Sequence, residues 1–68
     1  MMKEFGLLVT KARLDEGLTP GELAERAKIE LEVVQGMENG SPRTTLSDVI
    51  KVATALNRNI KIEIVDKN

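Results

Sequence analysis

Cysteine and histidine are both absent from the 68 residues. Without cysteine there is no disulfide framework. Without either residue, zinc fingers, iron–sulfur sites and histidine-based catalysis are excluded. Phe5 is the sole aromatic residue, which removes the stacked platforms that hold single-stranded nucleic acid. The longest apolar run, Leu7-Leu8-Val9, falls far short of the roughly 20 residues a bilayer span needs. No signal-peptide pattern is present. The expected location is cytoplasmic, with no membrane partner. A surplus of charge is also missing: ten Lys and Arg stand against eleven Asp and Glu, for a net charge of −1. Any contact with a polyanion then depends on where the charges lie, since the sum gives no long-range attraction. No glycine-rich phosphate loop or pair of acids on one face appears, so neither an enzyme nor a cofactor is expected. A chain of this length is one domain, and it buries only about 60% of its unfolded surface. Self-association is the one staple left to it.

What is present is punctuation at helical intervals. The spacing predicts a first helix over 3–16, with Phe5, Val9 and Ala12 on one stripe and Gly17 just past the end. Leu7 and Leu14 lie off that stripe as surplus apolar surface, and Lys11 and Arg13 are expected in solvent. Thr19-Pro20-Gly21-Glu22 then combines a Thr cap, a Pro at the first helical position and a Glu at the third. Leu18 and Leu23 flank it as a hydrophobic staple. The second helix is expected over 20–27, with Leu23, Ala24 and Ala27 inward. A third runs over 31–38, with Val33 or Val34 and Met37 inward, closed by Asn39-Gly40, both tolerant of left-handed backbone. After a loop, Thr45 and Asp48 cap a fourth helix over 46–56, whose inward set reads Leu46, Val49, Ile50, Ala53 and Leu56. Asn57 ends it. Ile60 to Val65 alternates with period two and is rich in β-branched residues, which reads as a strand. A lone strand leaves unpaired backbone groups, and a second subunit can supply the missing partner. Ile60, Ile62 and Ile64 are therefore the expected dimer contact.

Two short helices joined by a tight turn describe a helix-turn-helix. Gly17-Leu18-Thr19, Glu22-Leu23-Ala24, Ile29, Val34, Glu38-Asn39-Gly40, Thr45-Leu46 and Ala53-Thr54-Ala55-Leu56-Asn57 resemble the Cro/cI-type (Xre) family at matching spacing. The resemblance spans Gly17 to Leu56. It implies a mainly α, four-helix DNA-binding domain. A C-terminal strand that pairs across a dimer replaces the family's usual fifth helix, which resembles the HipB-like antitoxin branch. For that branch the resemblance implies a homodimer on double-stranded DNA that represses its own operon and binds a toxin protein.

On this pattern the third helix reads bases through Leu31, Glu32, Val33, Gln35 and Gly36. Lys28, Asn39, Arg43 and Thr44 stand where the family touches phosphates. Glu32 can accept from cytosine N4, Gln35 can pair with adenine, and Leu31 or Val33 can meet a thymine methyl. The sequence also departs from the family. Pro20 replaces a Gln that touches a phosphate, Lys28 replaces the turn Gly, and no Lys or Arg lies between Lys28 and Arg43. Glu30 suits the positive end of the helix dipole as well as any DNA role. Two functions are thus weighed: a DNA-binding repressor or antitoxin, and a protein-interaction module on the same scaffold with weak or lost DNA binding.

Overall fold

The computed structural model describes residues 2–61, 65 and 66. Four helices follow in order: α1 (Met2–Asp15), α2 (Pro20–Ala27), α3 (Leu31–Glu38) and α4 (Leu46–Ala55). α3 packs on α1 and α2, and α4 packs on α2. The core between them is Val9, Leu18, Leu23, Ala24, Ala27, Val34, Met37, Val52 and Leu56, with Phe5, Ala12, Ile29, Val49 and Ala55 partly buried against it. Leu23, Val34 and Met37 have no exposed surface, so the α2–α3 pair forms the centre.

α1 places Val9 in the core with Phe5 and Ala12 beside it, as the stripe predicts. It ends at Gly17 (φ 70°), where the Leu18 amide donates to the Arg13 carbonyl at 3.1 Å. α2 begins with both bonds of the capping box: the Glu22 amide donates to Thr19 Oγ1 at 3.1 Å, and the Thr19 amide to Glu22 Oε1 at 2.8 Å. Leu18 and Leu23 are both buried, consistent with the staple.

Two expectations are met only in part, and a third is not supported. On α4, Leu46 and Ile50 are exposed and Val52 is buried in their place. The 3.6-residue period admits two neighbouring stripes, and contact with α2 selects the one through Val52 and Leu56. At the end of α3, Asn39 keeps an ordinary right-handed backbone (φ −91°), and Gly40 alone turns left-handed (φ 79°). Glycine is favoured there by the positive φ and by crowding, since a Cβ would lie 3.0 Å from the Lys3 nitrogen. No strand is formed among the described residues, and Ile60, Lys61 and Val65 are irregular. Ile60 is half-buried and Val65 is exposed. Ile62 and Ile64, the rest of the expected dimer contact, lie outside the described residues. No helix among the described residues is long and apolar enough to cross a membrane.

Candidate nucleic-acid interface

The turn between α2 and α3 is made by Lys28 in left-handed backbone (φ 58°, ψ 45°), its amide donating to the carbonyls of Ala24 and Glu25. A non-glycine residue there costs about 1 kcal/mol, and the turn keeps it by seating Ile29 against the core. The Lys28 side chain is exposed at this corner.

Glu30 caps α3 with its backbone only. Its carbonyl accepts from the amides of Val33 at 3.0 Å and Val34 at 3.4 Å. No side chain caps the first turn of α3, and the first amides of a helix are otherwise completed by water or a ligand. Leu31, Glu32 and Gln35 are exposed, Val33 is half-buried, and Val34 and Met37 turn inward. α3 therefore presents one apolar side to the core and a mixed, acidic side to the surroundings.

Glu32, Val33 and Gly36 line one wall of an open groove of about 340 Å³, with Ser41, Arg43, Thr44 and Asp48 on the other. The geometry thus brings together five of the nine residues expected to face DNA. Lys28, Leu31, Gln35 and Asn39 stand outside this groove on exposed positions. The far wall is shaped locally: the Arg43 amide donates to Ser41 Oγ at 3.1 Å, the Ser41 amide to the Gly36 carbonyl at 2.8 Å, and the Asp48 amide to Thr45 Oγ1 at 3.1 Å. Gly36 faces Ser41, and a Cβ on it would touch the Ser41 Cβ at 3.4 Å. Its contribution is close packing of the loop on α3. Arg43 is exposed and makes no ion pair among the described residues, so its guanidinium is available to an anion. The carboxylates of Glu32 and Asp48 line the same groove and oppose a phosphate.

The residues that hold α3 in place lie at its other end. Glu38 Oε2 accepts from Arg13 Nε at 2.8 Å, and Glu38 Oε1 accepts from Arg13 Nη2 at 3.1 Å and from Thr10 Oγ1 at 2.8 Å. Arg13 Nη1 donates to the Leu18 carbonyl at 2.9 Å. The two charged side chains are only 11% and 12% exposed. Arg13 is thus a half-buried brace, which corrects its expected place in solvent. Its bonds to Glu38 raise its pKa above the ordinary value despite desolvation. Gly6 completes the brace, because a Cβ there would stand 2.5 Å from the Glu38 carbonyl oxygen and 2.6 Å from that of Met37. The separation of 25 positions between Arg13 and Glu38 hides the pair from any local pattern. The glycine in mid-helix is the one local signal, since it costs about 1 kcal/mol against alanine unless packing requires it.

A helix-turn-helix family model, HTH_3, matches residues 9–62, which takes in the second half of α1 and all of α2, α3 and α4. The chain is a Cro/cI-type helix-turn-helix protein. In this family the work is DNA binding in transcription regulation, and α2 and α3 are the paired helices that give it its name. No curated protein matches the chain in a sequence search. The likeness therefore establishes the scaffold, and the residues on α3 decide what this member does with it.

Proposed function

We propose that the chain is a DNA-binding transcriptional regulator that acts as a homodimer, a repressor or antitoxin that regulates its own operon, with a toxin protein as partner under the antitoxin reading. The observation that carries this reading is the family match across α2 and α3 together with the groove that sets Glu32, Gly36, Arg43 and Thr44 side by side. α3 lies in the major groove, Arg43 and Lys28 meet phosphates at its flanks, and Thr44 and Asn39 add polar contacts. Base reading falls to Glu32, Gln35 and the apolar edges of Leu31 and Val33. The homodimer rests on the alternating sequence of residues 60–65, whose Ile60, Ile62 and Ile64 would share one face of a paired strand.

Binding of this kind is shallow in salt. Two or three phosphate contacts per subunit correspond to a slope of about −4 to −5 for a dimer. A mobility shift with duplex from upstream of the gene, at two salt concentrations, tests the proposal. The expected result is a shift at low salt that fades modestly as salt rises. Glu32→Gln then raises affinity for unrelated duplex, because a like charge facing phosphate is removed. If Glu32→Gln instead abolishes binding to a single operator, Glu32 reads a base there.

The second reading, a protein-interaction module, is favoured by one observation: the outward side of α3 carries Glu30 and Glu32 and no basic residue. Failure of any duplex to shift at low salt selects it.

A further inference from the structure

The outward stripe of α1 carries charges and leucines in an order that matches its own reverse. Glu4, Leu7, Leu8 and Lys11 are all exposed, Leu7 at 68% and Leu8 at 65%. Their spacing, i, i+3, i+4 and i+7, puts them on one side of the helix. Gly6, Val9, Thr10 and Arg13, which pack toward the core and α3, fall on the opposite side by the same period. Read from either end, the stripe is charge, leucine, leucine, opposite charge. Glu4 and Lys11 are about 10 Å apart along the axis, at 1.5 Å per residue, too far to pair with one another. Neither forms an ion pair among the described residues.

We propose that this face of α1 docks on the same face of a second copy of the chain, the two helices antiparallel about a two-fold axis between Leu7 and Leu8. A two-fold contact is self-complementary: every group meets its opposite from the same patch. Here residue k of one chain faces residue 15 − k of the other. Leu7 meets Leu8, and Glu4 meets Lys11, on both sides of the axis. Charge complementarity thus selects a second copy as the occupant. The exposed pair on α4, Leu46 and Ile50, has no such flanking charges and carries no comparable argument. The α1 contact points away from α3 and leaves the groove of Glu32 and Arg43 open. It is independent of the DNA reading; at Leu8 and Lys11 it borders a cavity that Ile60, at the start of the tail, also lines. One helix pair buries less than the roughly 1,200 Å² of a standard interface, so the association is weak and visible only at high concentration.

The test is sedimentation velocity of the full chain over a concentration series, with circular dichroism to confirm that each variant is folded. The wild type is expected to associate reversibly. Lys11→Glu sets two acidic residues against each other at both ends of the contact and should weaken association by about tenfold. Glu4→Lys should do the same. The double variant Glu4→Lys/Lys11→Glu restores both pairs with their signs exchanged, and should associate like the wild type. A wild type that stays monomeric throughout overturns the proposal. So does an association that Lys11→Glu leaves unchanged, or one that the double exchange fails to restore. An association that is lost on deleting residues 59–68 but ignores the exchanges assigns the dimer to the tail. Mobility shifts on the same variants read the DNA function separately.

Discussion

α2 and α3 are the same length and pack on each other, yet they are held by different means. α2 is closed at its start by its own residues, Thr19 and Glu22, and at its end by the Lys28 turn. α3 has no side-chain cap at its start, and it is gripped at its far end by Arg13 and Thr10 of α1 through Glu38. The difference suits their places. The start of α3 carries no side-chain cap, and the groove with Arg43 and Thr44 runs along the helix from Glu32 to Gly36. The rigidity it needs comes from a contact on the other side of the domain. α2 faces no such demand and can be stabilised locally.

The grip on α3 breaks most severely at Gly6. Gly6→Ala pushes a methyl into the backbone carbonyls of Met37 and Glu38, so α1 and α3 must move apart. The expected loss is about 3 kcal/mol, the upper range for overpacking a tight contact, read as a large fall in the midpoint of urea unfolding. Next is Glu38→Gln. It leaves Arg13 nearly buried with an amide in place of a carboxylate, at a cost of about 2 kcal/mol, below the full penalty because the pair is not completely enclosed. Equal melting temperatures for Glu38→Gln and the parent would show that the brace contributes nothing.

Thr19→Ala acts on α2 alone and should cost about 1 kcal/mol by loss of its cap. The same experiment separates the two helices: affinity for duplex should survive Thr19→Ala better than Glu38→Gln once both are compared below their melting points. The smallest effect has the opposite sign. Lys28→Gly relieves the left-handed strain at the turn and should stabilise the domain by about 0.5 kcal/mol, the strain released being partly offset by the freedom glycine gains when unfolded. If Lys28 also meets a phosphate, that variant melts higher and binds duplex less well, and the salt slope becomes shallower by about one for each phosphate left unneutralised.

Where a structural device lies within a few consecutive residues, it can be read directly. The Thr19-Pro20-Gly21-Glu22 box, the Leu18–Leu23 staple, the Thr45–Asp48 cap and the limits of all four helices to within a residue or so are of that kind, because the bonds that make them join near neighbours. The groove was readable in part: Glu32, Val33, Gly36, Arg43 and Thr44 follow from the position of a recognition helix and its loop. The inward side of α4 was not, since its sequence supports two adjacent stripes and only packing on α2 chooses Val52 over Ile50.

The amino-acid sequence by itself determined the helices, their caps and the family to which they belong, because caps, period and turn chemistry act over three or four residues. Tertiary structure alone decided that Arg13 is a brace and that Gly6 is a contact. It also decided that Leu8 remains outside. Each of these depends on which helix lies across from which, and that choice is made by the whole core at once, through residues 25 or more apart in the chain.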